Sequence, residues 1–112
     1  QHLDGVSLTP LLNSPKGTIK RNSIFWHYPH YSNQGGFPGG AIRSGSYKLV
    51  ERYEDGRTHL FDLNKDPGES IDIANANRDK VDSMRKELHS WYKKVDAKFL
   101  QPKGENRNPW RP

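Results

Sequence analysis

Between residues 79 and 99 the apolar side chains Val81, Met84, Leu88, Trp91, Tyr92, Val95 and Phe99 recur at spacings of three and four. That period lines them up on one stripe of a helix, about 30 Å long at 1.5 Å per residue. Asp79 is the expected N-cap. Asp82 in the first turn suits the helix dipole and forms an acid-first pair with Lys86 four residues on. Upstream the period shortens to that of strands. Ser23 to Tyr28 is rich in β-formers, and Pro29 closes it. Ala41-Ile42-Arg43 starts a second strand that turns at Ser44-Gly45, and Tyr47 to Tyr53 alternates as a third. Asp55-Gly56 marks a tight hairpin turn into Thr58 to Leu63, the fourth strand. Ser32 to Gly40, with four glycines, reads as a flexible loop.

Short links between the strands require antiparallel pairing. The fold class is therefore α+β: a small antiparallel sheet of about four strands packed against one long C-terminal helix. Residues 1–22, punctuated by Gly5, Pro10, Pro15 and Gly17, read as a connector. Residues 23–100 form the domain, and residues 101–112 form a loosely held tail rich in Pro and Gly.

Composition narrows the possibilities. With 112 residues and 31% hydrophobic side chains, the chain makes one small domain that gains from a larger partner. The absence of Cys removes disulfides, zinc-thiolate sites and Cys nucleophiles. No apolar run is long enough to span a membrane. The net charge of +5 arises wholly within residues 78–112. A basic third of this kind suits a solvated helix face, or contact with sulfated glycans or other polyanions. No nucleic-acid module is present, so no nucleic-acid partner is expected.

The densest patch of candidate chemistry is His27-Tyr28-Pro29-His30-Tyr31, followed by the glycine loop. His27 and His30 are the candidate substrate-binding residues, through hydrogen bonds from their ring nitrogens. The alternative is that aromatic stacking and the Pro turn merely hold the loop. A metal site is not predicted, because a catalytic zinc needs three protein ligands and nothing in the sequence brings His2 or His59 near. The glycine loop lacks the Gly-Lys-Ser/Thr ending of a phosphate-binding loop and does not open a helix. It suits close backbone approach to a neighbouring domain or ligand. No nucleophile constellation is seen, so no catalytic residue is assigned.

Three segments, in order, carry a family resemblance. Leu3 to Leu12 resembles the segment leaving the large α/β domain of sulfatases. Ala41 to Leu49 resembles that family's C-terminal strand pair. Leu60-Phe61-Asp62-Leu63-Asn64-Lys65-Asp66-Pro67-Gly68-Glu69 resembles its Tyr-Asp-Leu, Asp-Pro-x-Glu signature, with Phe61 in place of the common Tyr. Ile73-Ala74 departs from the usual Asn-Leu-Ala. The resemblance implies the C-terminal subdomain of a sulfuric ester hydrolase, acting in glycan degradation and not active alone. Its partners would be an N-terminal catalytic domain of the same parent chain, joined through residues 1–22, and a sulfated carbohydrate. It also implies a calcium ion and a formylglycine in that catalytic domain and no cofactor in this segment. The formylglycine motif Cys/Ser-x-Pro-x-Arg is not present, since Ser14-Pro15-Lys16 has neither the spacing nor the Arg. A periplasmic or secreted parent follows from the same resemblance. The contrasting expectation is a freestanding binding module for sulfated glycans or other polyanions.

Overall fold

Strand periodicity turns alternate side chains toward opposite faces of a sheet, and here one of those faces is roofed by a helix. The computed structural model describes residues 5–101 and 110–112. Its four strands are β1 (Ser23–Tyr28), β2 (Gly39–Ser44), β3 (Tyr47–Arg52) and β4 (Thr58–Asp62). They pair in sequence order as an antiparallel meander. Phe25 lies opposite Ile42, Ile42 opposite Leu49, and Leu49 opposite Leu60, giving one apolar row across the sheet. Helix α2 (Arg78–Lys94) lies on this row and buries Val81, Met84, Leu88 and Tyr92 against it. Phe25 stacks on Trp91 with ring centroids 5.0 Å apart. The predicted α+β class, the four strands and the helix stripe are all present.

The boundaries differ in instructive ways. The helix stops at Lys94 rather than Phe99. Asp96 adopts a left-handed conformation (φ 50°). The Ala97 N–H then reaches Tyr92 O at 3.0 Å, and the Asp96 N–H reaches Lys93 O at 3.3 Å. This pair of bonds is the Schellman closure, which satisfies carbonyls that the helix leaves open. It also folds Phe99 back onto Tyr53 and Tyr92 at ring distances of 5.1 and 5.2 Å. At the other end Asn77, not Asp79, is the N-cap residue. Its amide turns back to Ile73 O at 2.9 Å instead of capping α2. Asp79 sits within the first turn, where it still favours the dipole. A short helix, α1 (Thr9–Asn13), occupies part of the connector, with Pro10 at its first turn. A 3₁₀ turn at Ala74–Ala76 precedes α2.

The Asp-Pro-Gly-Glu segment has a structural reason. Asp66 Oδ2 accepts the Ile71 N–H at 2.7 Å, and Oδ1 accepts the Ser70 hydroxyl at 2.9 Å. The Ile71 N–H bond, foremost, holds this carboxyl below the usual carboxylate range. Glu69 reaches back to Lys48 on β3, with Nζ 2.6 Å from Oε1. Asp72 then accepts the Leu60 and Ala74 N–H groups at 3.0 and 2.9 Å, tying β4 to the 3₁₀ turn.

Residues 102–109 of the expected tail, and the start of the connector at residues 1–4, lie outside the described residues. Trp110 is described. It stacks parallel to Tyr53 at 6.2 Å, while the Arg85 guanidinium lies 5.4 Å from its ring.

Candidate functional site

The site begins with the link from β1 to β2. Gly39 and Gly40 are not part of a flexible loop but the first residues of β2, paired with Tyr28 and His27. A Cβ on Gly40 would collide with the Tyr92 and Tyr53 hydroxyls. Glycine is therefore required for close packing inside this chain. Pro38 is fully buried, and its carbonyl accepts the Tyr53 N–H at 3.0 Å. Phe37 lies under the Arg52 guanidinium, 4.4 Å from ring centroid to Cζ. Ser32 organises the tip, where the Gly35 N–H reaches its carbonyl at 3.2 Å and Gly35 takes φ 88°. Both ends of the link are thus fixed, and only its tip is free of strand pairing.

The two predicted histidines separate here. His27 Nε2 lies 2.8 Å from Lys98 O and Nδ1 lies 2.6 Å from the Tyr53 hydroxyl. A carbonyl only accepts, so Nε2 carries the proton, and the neutral ring accepts a hydrogen bond from the Tyr53 hydroxyl at Nδ1. Its ring packs edge-on to Phe99 at 5.1 Å. Burial pulls the imidazole below its ordinary value of 6.5; the Lys98 carbonyl opposes this and nearby His30 adds to it. His27 therefore anchors the base of the rim. His30 is exposed and sits edge-on to Tyr28 at 5.5 Å. Tyr31, also exposed, donates to Glu54 Oε1 on the neighbouring hairpin at 3.2 Å.

Behind this rim runs a polar network that sequence pattern did not reveal. The Tyr53 and Tyr92 hydroxyls are 2.9 Å apart. Burial raises both well above the ordinary tyrosine value. Glu51 is fully buried on β3. Its Oε1 accepts from Arg85 Nε at 2.8 Å, and His89 Nε2 lies 2.9 and 3.0 Å from its two oxygens. A buried carboxylate needs such partners. The available signal was the spacing of Arg85 and His89, four apart on the helix face beside Leu88, but nothing local announced Glu51 as their partner.

Among the described residues, no group of three or more His, Asp or Glu side chains converges in metal-binding geometry. No helix among them is long and apolar enough to cross a membrane.

Residues 1–98 match the family described as N-sulphoglucosamine sulphohydrolase, C-terminal. A curated protein of Formosa agariphila named "Sulfatase" is 30% identical over 108 residues, covering 87% of this chain. The chain spans 20% of that relative's length. Among solved structures, one captured with its substrate D-glucosamine-2-N,6-O-disulfate aligns with TM-score 0.70 at 24% identity, over 82% of this chain and 20% of that one. A 2-O glycosaminoglycan sulfatase aligns with TM-score 0.71 at 23% identity, over 84% and 21%. A sulfatase-like structure from Bacteroides thetaiotaomicron gives TM-score 0.71 at 23% identity, over 83% and 20%. At these identities the structures speak for the fold. The sequence match, the meander-plus-helix architecture and the Asp66–Glu69 turn agree, and the chain belongs to the N-sulphoglucosamine sulphohydrolase C-terminal family as a sulfatase C-terminal subdomain.

Proposed function

We propose that this chain completes a sulfatase whose catalytic residues lie in the rest of the parent protein, and that its β1–β2 rim walls one side of the pocket for a sulfated sugar. One observation carries the reading. The rim holds an exposed His30 beside Tyr28 and Tyr31, on a base fixed by both ring nitrogens of His27. When protonated, His30 donates a charge-assisted hydrogen bond to a sulfate oxygen, and the tyrosine hydroxyls suit sugar hydroxyls. His27 acts through position, keeping β1 and the residues after it in register. In the parent, a formylglycine would supply the chemistry of sulfate-ester hydrolysis and a calcium ion would supply charge at the sulfate. The Cys/Ser-x-Pro-x-Arg motif is not in this sequence, and the family resemblance assigns both groups to the remaining part of the parent. The sulfate-bearing ligand of the structural relative supports a sulfated amino sugar as the substrate class. An exported parent, periplasmic or secreted, is supported by the family resemblance.

Steady-state kinetics of the parent enzyme on sulfated saccharides test the rim. His30→Ala is expected to raise KM with little change in kcat, the mark of a lost binding contact. His27→Ala is expected to raise KM and also lower the melting temperature. Unaltered kinetics in both variants would remove the substrate role.

A further inference from the structure

The face of the sheet opposite α2 does not follow the pattern of a solvated surface. An antiparallel sheet with one wet face alternates apolar inward and polar outward. Here the outward positions of β1 are Ile24, Trp26 and Tyr28, exposed at 40, 47 and 52%. Ala41 of β2 and Val50 of β3 extend the same face, paired directly with each other. Phe37 flanks them at 38% exposure. Between Trp26, Phe37, Ala41 and Val50 lies an open hollow of about 240 Å³, with Lys48 at its edge. Ion pairs frame the apolar centre: Lys48 with Glu69 on one side, Arg52 with Glu54 on the other. An apolar patch rimmed by polar groups on a small domain marks a contact surface. A concave centre beside a large aromatic is the arrangement of an interface anchor.

The occupant follows from chain length. The chain spans 20% of the curated sulfatase and 20 to 21% of the solved structures it resembles. Some four-fifths of such a protein is therefore polypeptide outside this domain. α2 already covers one face of the sheet with this chain's own residues. We propose that the open face is the seat of the larger, catalytic part of the parent chain, with Trp26 as the central anchor and one apolar side chain of that part filling the hollow. This deepens the functional reading and rests on it. Because Tyr28 ends β1 where the rim begins, a body docked on this face abuts the rim. That geometry sets His30 at the seam between the two parts.

Hydroxyl-radical footprinting of the intact parent protein, read by mass spectrometry, tests the seat without using activity. After normalisation for intrinsic reactivity, Ile24, Trp26 and Phe37 should be modified about tenfold more slowly than Ile71, which is 63% exposed in this domain. Protection should be independent of protein concentration. Trp26→Asp in the parent should restore modification of Ile24 and Phe37 and lower the melting temperature. Rates equal to that of Ile71 would overturn the proposal. So would protection that appears only as the protein dimerises, since the occupant would then be a second copy. If the footprint holds but the parent hydrolyses no sulfate ester, the seat stands and the functional reading alone falls.

Discussion

The His27 imidazole meets the Tyr53 hydroxyl at 2.6 Å while its other nitrogen holds Lys98 O at 2.8 Å, so one ring joins β1, the end of β3 and the segment after α2. A hydrogen-bonded, half-buried neutral histidine makes stability depend on pH. Its folded value is depressed below the ordinary 6.5, first by burial. Between those values the unfolded chain binds a proton that the folded chain does not, so stability rises with pH there. The contribution is whole above pH 6.5 and is lost as pH falls from 6.5 through the folded value. Urea unfolding of wild type and His27→Gln across this range should show a shallower pH slope in the variant. Equal slopes would show that His27 does not titrate with folding.

Gly40 controls whether the tyrosine pair can form. Its missing side chain leaves space that the Tyr92 and Tyr53 hydroxyls occupy. Gly40→Ala forces a shift in a packed region, at a cost of about 1–3 kcal/mol. Gly45→Ala is the informative comparison, because a Cβ there meets nothing and only its φ of 59° opposes it. Chemical denaturation should therefore rank Gly40→Ala as the more damaging, with near-ultraviolet circular dichroism of the tyrosines altered only in that variant.

Glu51 is fully buried, and its partners Arg85 and His89 are partly exposed, at 33 and 21%. Removing the carboxylate leaves two groups that can turn partly toward water. Glu51→Ala is thus expected at the low end of the range for a broken buried pair, about 3 kcal/mol. The exposed Lys98–Asp96 pair, at 80 and 85%, should contribute under about 1 kcal/mol. In about 1 M salt, which screens exposed charges, the Glu51→Ala loss should persist in urea melts while any Lys98→Ala loss fades.

Asp96 is held in the left-handed region that favours glycine, with φ 50°. Replacing it with Gly removes the Cβ that this conformation disfavours and sacrifices the exposed pair with Lys98. Asp96→Gly should stabilise the domain by about 0.5–1 kcal/mol, net of the entropy that glycine adds to the unfolded chain. A lowered melting temperature would show that the Asp96 carboxylate has a further role.

Local pattern determined much of this protein. β-Former content, alternation and the Asp-Gly turn placed three strands within a residue or so of their true bounds, and the period of three and four placed the buried stripe Val81, Met84, Leu88 and Tyr92. The segment from Leu60 to Glu69 carried the family resemblance because its turn depends on contacts only a few residues apart, such as Asp66 with Ile71. What was illegible joins residues distant in sequence. Gly40 reads as loop flexibility until Tyr92 occupies its space, and Phe99 reads as helix until Asp96 turns the chain back. Two histidines three apart look alike until the Lys98 carbonyl, 71 residues from His27, accepts a hydrogen bond from one of them. Alternation along a strand says that it has two faces, but not which neighbour covers each. That is set by burial of surface between segments far apart in the chain, and only the tertiary structure shows α2 on one face and Trp26 bare on the other.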